Sequence, residues 1–169
     1  MKLLISYDTI NDEIWRVKFD DLFSHDFTLL TMSEVVPAVG DGNDYVNKLN
    51  SSSQIDFDTM LIVMLGAQTY KLAKVDWDLK FALTPKGERP TPIIPLRLPS
   101  HPDFGKKAVN PGRLPQRLVD NLRSGFLKLH DWTESMDQLQ KLVRTELKAV
   151  RNHAHLADNS RALMSKDLF

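Results

Sequence analysis

The segment Thr59–Leu83 reads TMLIVMLGAQTYKLAKVDWDLKFAL and carries the clearest structural signal in the chain. It begins with a continuous apolar run, Met60–Leu65, which ends at Gly66. A short apolar run bounded by a glycine is typical of a strand buried on both faces, as in a parallel sheet. Because ligands bind beyond the carboxyl ends of such strands, we expect functional chemistry between Gly66 and Asp78.

Strands and helices alternate on both sides of this segment. Short apolar runs predict four more strands, at Leu3–Ile5, Phe27–Met32, Ile93–Leu98 and Phe126–His130. Apolar residues three or four positions apart predict helices at about 12–23, 45–49, 75–83, 118–122 and 136–150. This alternation indicates an α/β, flavodoxin-like, three-layer fold with a mostly parallel five-stranded sheet. Pro95 lacks a backbone donor, which predicts that its strand is an edge strand or contains a bulge.

Composition narrows the class of protein. The chain has 169 residues, which fits one domain, predicted at residues 1–150 with a tail at 151–169 that is either helical or irregular. It has no cysteine, which excludes disulfides, thiolate zinc sites and cysteine nucleophiles. With 22 basic and 22 acidic residues, its net charge favours neither nucleic acid nor a membrane surface. No signal-peptide core or spanning segment is recognisable, so we expect a cytoplasmic protein.

Several common nucleotide and metal sites are missing from the sequence. No GxGxxG motif follows the first predicted strand, and the P-loop pattern GxxxxGK followed by serine or threonine does not occur. A receiver domain needs an aspartate at the end of the third strand, where this chain has Gly66. His153 and His155 are two positions apart, which places their rings on opposite sides of a helix. We therefore predict no metal site.

Polar residues at the end of the first predicted strand are the remaining candidates. Ser6, Tyr7 and Asp8 lie at the same edge of the sheet as Gly66. An aromatic ring with a hydroxyl and an acid beside it suits a pocket wall, although simple strand-end polarity explains them equally well. Asp78 has a plain alternative too, as an exposed acid near a helix N-terminus, where the macrodipole favours it.

The order of these segments resembles the TIR domain family, and within it the TIR-like branch of ThsB proteins from Thoeris anti-phage defence. Leu4–Asp8 resembles the opening box with its FISY-type sequence, and Leu61–Tyr70 resembles the strand followed by a glycine and a glutamine–threonine turn. Val75–Leu79 resembles the start of the next helix. Pro92–Leu96 and Phe126–Trp132 resemble the two later strands, so the resemblance extends over about residues 2 to 150.

The resemblance implies an NAD glycohydrolase or cyclase that uses NAD as substrate and needs no cofactor. Asp78 stands at the position of the catalytic carboxylate, and the implied pocket residues are Ser6, Tyr7, Asp8, Gly66 and Trp77. Cleaving the nicotinamide–ribose bond builds positive charge on the ribose, which a carboxylate stabilises. Water would then give ADP-ribose, and another hydroxyl of the same molecule would give a cyclic isomer. Self-association and a partner effector reached by this diffusible signal are the implied partners.

Two residues depart from the family pattern. The acid is Asp78 where the family has glutamate, and Lys74 stands where the family has tryptophan, with Trp77 beside the acid instead. Pulling a carboxylate back by roughly 1 Å costs on the order of 10²-fold in rate unless the backbone compensates. The sequence therefore leaves two alternatives open, a non-catalytic TIR-like interaction or scaffold module and a nucleotide sensor.

Overall fold

The computed structural model describes residues 1–37 and 39–169 and contains one five-stranded sheet. The strands are β1 (Lys2–Ser6), β2 (Thr28–Thr31), β3 (Thr59–Leu65), β4 (Ile93–Arg97) and β5 (His130–Asp131). They lie in the order β2-β1-β3-β4-β5, and every neighbouring pair is parallel. This order is the flavodoxin-like one, which confirms the predicted α/β class.

Helices cover both faces of the sheet and make the fold three-layered. They are α1 (Glu13–Phe23), α2 (Met32–Val35), α3 (Gly42–Asn50), α4 (Ala73–Leu83), α5 (Gln116–Arg123) and α6 (Met136–His153). On one face α1 and α6 contribute Phe19, Phe23, Leu139 and Val143 to the core. On the other face α3, α4 and α5 contribute Tyr45, Leu49, Val75, Leu79 and Leu118.

The central strand β3 explains why its sequence is continuously apolar. All seven of its residues are buried. Leu61, Val63 and Leu65 belong to the core under α3–α5, and Met60, Ile62 and Met64 belong to the core under α1 and α6. Side chains alternate between faces along a strand, so a strand with both faces covered needs apolar residues at every position.

The prediction for Pro95 is wrong, because β4 is an inner strand in which Pro95 pairs with Val63. The backbone N–H of Leu98 donates to Leu65 O, so even-numbered residues of β4 direct their N–H groups toward β3. The nitrogen of Pro95 therefore faces β5. Pairing with β5 begins only at Leu96, so the missing donor removes no ladder hydrogen bond.

The fifth strand also lies later than predicted. The structure places β5 at His130–Asp131, whereas the prediction was Phe126–His130. Phe126 and Leu127 are buried in the core beneath α3–α5, and Leu127 N donates to Asn121 O of α5. These apolar residues serve the packing of a connecting segment, which apolarity alone does not distinguish from a strand.

Beyond α6 the chain forms a short 3-10 helix, Ala154–Leu156, and then residues 157–169 without regular secondary structure. The predicted tail is therefore partly helical and mostly irregular. Among the residues that the structure describes, no helix combines the length and apolarity needed to cross a bilayer.

Candidate functional site

Asp78 of α4 is directed into the protein toward the end of β1. It is fully buried, so the alternative of an exposed helix acid is wrong. Its Oδ2 accepts hydrogen bonds from Ser6 Oγ at 2.7 Å and from Lys74 Nζ at 3.0 Å. Its Oδ1 accepts from the Tyr45 hydroxyl at 2.6 Å. We call these four residues the Asp78 cluster.

Ser6 reaches Asp78 because of its position in β1. Leu4 lies in the core beneath α3–α5, and Ser6, two residues later, points to the same face at the carboxyl end of the strand. Here α4 crosses the end of β1. The hydroxyl of Ser6 stands at a position where the pattern of the strand would otherwise have an apolar side chain. The structure therefore brings Ser6 and Asp78, two of the implied site residues, into direct contact.

Tyr45 is a member of the cluster that the sequence analysis missed. Asp41 caps α3 by accepting from Asp44 N, and the helix so begun buries Tyr45 completely against α4. Burial and the adjacent Asp78 raise the pKa of Tyr45, so its hydroxyl stays protonated and donates a hydrogen bond to the carboxylate. The apolar face of the predicted helix included Tyr45, but no local signal joins it to an acid 33 positions away.

Lys74 closes the cluster on its outer side. It lies one turn before Asp78 on α4, and its ammonium group is 5.5 Å from the centroid of the Tyr45 ring. Its side chain is 27% exposed, whereas that of Asp78 is fully buried. Lys74 and Asp78, the two residues that depart from the pattern implied by the resemblance, thus form an ion pair with each other. In the described chain Lys74 is the only partly exposed partner of Asp78.

Trp77 lies between α3 and residues 157–169. Its indole Nε1 donates to Met164 O at 2.7 Å, and its ring centroid is 5.8 Å from that of Tyr45. A Cβ atom on Gly42 would be 2.5 Å from the same Nε1, so α3 approaches the indole as closely as glycine allows. Trp77 therefore touches the Asp78 cluster through Tyr45, with its polar atom bonded to the backbone of the 157–169 segment.

Tyr7 and Asp8 do not join the cluster. Tyr7 belongs to the core under α1 and α6, and its hydroxyl donates to Glu13 Oε2 at 2.5 Å. Asp8 is buried and accepts hydrogen bonds from the backbone N–H groups of Ile10 and Asn11. Successive strand residues point to opposite faces, so Tyr7 is turned away from Ser6. Both residues stabilise the turn from β1 into α1.

Gly66 adjoins a second buried carboxylate, that of Asp12, which directly precedes α1. A Cβ atom on Gly66 would overlap the Asp12 carboxylate. The Asp12 side chain makes no capping bond; its Oδ1 accepts from Ser100 Oγ at 2.9 Å. Burial raises the pKa of Asp12, and the nearby charge of Asp8 raises it further. Asp12 thus links the loops that follow β1, β3 and β4.

A cavity with a volume of about 600 Å³ lies between α4, α5 and residues 157–169. Its lining includes Tyr70, Asp76, Asp120, Arg161 and Met164, and Asp78 does not line it. Within the described residues, no group of three or more histidine, aspartate and glutamate side chains is placed to hold a metal ion.

The chain thus combines a doubly wound parallel sheet with a carboxylate, on the helix after the third strand, that is bonded to the end of the first strand. A family model described as "Thoeris protein ThsB, TIR-like domain" matches residues 4–103, which is more than half of the chain. The chain belongs to this family, and the resemblance predicted from its sequence is confirmed. The match contains Ser6, Tyr45, Lys74 and Asp78. Comparisons with curated proteins and with solved structures found no match.

Proposed function

We propose that the chain is an NAD-processing TIR-like protein of Thoeris anti-phage defence that cleaves the bond between nicotinamide and ribose. The observation that carries this proposal is the hydrogen-bonded cluster of Asp78, Ser6 and Tyr45 at the carboxyl end of β1. In open α/β sheets this is the edge at which ligands bind. The resemblance implies that Asp78 is the family's acid, and its carboxylate contacts the end of β1, which would form the floor of the site.

Asp78 would act on the charge that develops during cleavage. As nicotinamide leaves with the bonding electron pair, the ribose becomes oxocarbenium-like, and an adjacent carboxylate in a low-dielectric site stabilises it. Addition of water to the anomeric carbon, with loss of one proton, gives ADP-ribose. Attack by another hydroxyl of the same molecule, also with loss of a proton, gives a cyclic isomer. Such an isomer would be the diffusible signal to a partner effector.

Lys74 must move before a ribose can approach Asp78. Its ammonium group occupies the outer side of the carboxylate, where it compensates the buried charge. A ribose bound on that side would develop its positive charge where the ammonium group had been, while Ser6 and Tyr45 keep their bonds to the acid. This exchange favours the oxocarbenium-like state over neutral ground-state sugar, as differential binding requires.

The experiment is incubation of the purified chain with NAD, alone and with lysate of phage-infected cells, followed by measurement of nicotinamide. Asp78→Ala should abolish release, and Asp21→Ala, which alters an exposed acid on α1, should leave it unchanged. The infected lysate supplies an activating cue or partner if assembly is required. Absence of nicotinamide under both conditions would contradict the proposal.

The second candidate is a non-catalytic TIR-like scaffold that assembles with itself or a partner. The complete burial of Asp78 under three donors favours it, since a fully satisfied buried carboxylate is also a stabilising link between β1, α3 and α4. A scaffold predicts that Asp78→Ala loses stability and assembly with no change in NAD, read by size-exclusion chromatography alongside the nicotinamide assay.

A further inference from the structure

Residues 157–169, which we call the strap, run antiparallel along the whole of α4. The strap and the helix are joined at four successive levels. From the end of the helix to its beginning the pairs are Asn159 with Lys80, Met164 with Trp77, Asp167 with Ala73, and Leu168 with Lys71. The strap therefore follows the helix that carries Asp78 from end to end.

A buried ion pair anchors the middle of the strap. Arg117 of α5 is fully buried and binds both carboxylate oxygens of Asp76, at 2.8 and 3.2 Å. The same guanidinium donates to the backbone oxygens of Arg161 and Ala162, and Asp76 Oδ2 accepts from Met164 N at 2.9 Å. The pair thus contacts the strap mainly through its backbone.

The strap is held mainly by hydrogen bonds, and partly buried Ala157 packs against the core under α3–α5. None of its residues is buried, and Leu168 and Phe169 are largely exposed. A protein hydrogen bond contributes little net stability, and segments with few buried apolar contacts open locally without global unfolding. The strap is therefore suited to leave α4 while the sheet and its two cores remain folded.

One strap contact is connected to the Asp78 cluster through Trp77. Met164 O holds the Trp77 indole against Gly42 and Tyr45, and Tyr45 donates to Asp78. We propose that the strap keeps the Asp78 cluster closed, and that its release lets Trp77 withdraw and opens a path to the carboxylate. The consequence for NAD cleavage rests on the proposed function, but the consequence for access to Asp78 does not.

Carboxyl labelling measures that access directly. The released variant is Asn159→Ala with Asp167→Ala, which removes strap contacts at both ends of α4; Asp167→Asn, which keeps an acceptor for Ala73 N, is its matched control. Treatment with a water-soluble carbodiimide and an amine, followed by peptide mass spectrometry, should label Asp78 about tenfold faster in the released variant. Glu146, a buried acid of α6, should stay protected and so report an intact fold.

A second variant uses the absence of native cysteines. Lys71→Cys with Leu168→Cys joins two positions whose backbones are hydrogen-bonded, so oxidation should lock the strap and reduction should free it. Asp78 labelling should be slower in the oxidised form than in the reduced form. Equal labelling in both forms, or unchanged labelling in a released variant whose Trp77 indole N–H exchanges faster by NMR, would overturn the strap proposal.

The nicotinamide assay on the same proteins separates the two proposals. If both hold, the released variant should cleave NAD faster than the unmodified chain, and the oxidised form should be slowest. If the unmodified chain cleaves NAD and Asp78 labelling is the same in every variant, the strap proposal is refuted and the enzyme proposal stands. The alternative result is that Asp78 labelling changes with release and locking of the strap while no variant releases nicotinamide, in buffer or in infected lysate. That result would support the strap proposal and refute the enzyme proposal.

Discussion

Ser6 Oγ donates a 2.7 Å hydrogen bond to Asp78 Oδ2 across 72 positions of sequence. This bond joins the end of β1 to the middle of α4 inside a site from which water is excluded, because both residues are buried. It draws the carboxylate toward the strand and away from solvent. The shorter side chain of aspartate is therefore matched to a position deep in the fold, where a glutamate would need more room.

Replacing Asp78 by glutamate tests whether this buried position fits the shorter side chain of aspartate. We expect Asp78→Glu to destabilise the fold by about 1–3 kcal/mol, because an added methylene must fit a fully packed site. We also expect faster NAD cleavage, because glutamate is the acid that the family resemblance implies at this position. Thermal unfolding and nicotinamide release measure the two effects. A loss of stability with no nicotinamide from either protein would favour the scaffold.

Removing the Tyr45 hydroxyl isolates one donor of the cluster. Tyr45→Phe keeps the ring and leaves Asp78 Oδ1 buried without that bond, which should cost about 1–3 kcal/mol in the free energy of unfolding. Nicotinamide release should fall as well, because the carboxylate loses its orientation. Tyr70→Phe is the matched control, since Tyr70 is half-buried and outside the cluster. Equal effects of the two substitutions in urea unfolding would contradict the role given to Tyr45.

Adding a methyl group at Gly66 should displace Asp12. The new Cβ atom in Gly66→Ala overlaps the carboxylate, and overpacking of this kind costs about 1–3 kcal/mol. Asp12→Ala removes the atoms in conflict, so the double variant should be more stable than the sum of the single effects predicts. A double-mutant cycle in urea measures this coupling, and simple additivity would show that the two residues do not compete for space.

The stability of the fold should decrease as pH rises because of Asp12. Burial raises the pKa of Asp12 above its ordinary value of 3.8, so the folded state holds this proton more tightly than the unfolded state. Its contribution to stability is present below pH 3.8 and is lost as pH rises toward the folded-state pKa. Asp12→Asn cannot ionise, so its stability relative to the unmodified chain should increase from pH 4 upward. Urea unfolding across this range measures the difference, and a constant difference would contradict the prediction.

Local pattern was sufficient for most of the architecture. The run Met60–Leu65 became the central strand because a strand covered on both faces must be apolar throughout. The weaker signal around Tyr45–Leu49 also became a helix, α3. The predictions for Pro95 and Phe126 were wrong, because strand order and the bounds of β5 depend on which segments pair. The sequence of either segment alone does not specify its pairing partner.

The sequence by itself determined the TIR-like α/β fold and the family, since both follow from local composition or from motif order. Only the tertiary structure decided that Asp78 is buried, that Tyr45 and Lys74 bind it, that Tyr7 and Asp8 turn away, and that the strap lies over Trp77. The physical reason is that hydrophobic periodicity specifies which face of each element is covered. The angle and height at which α3, α4 and the strap pack then decide which polar groups meet.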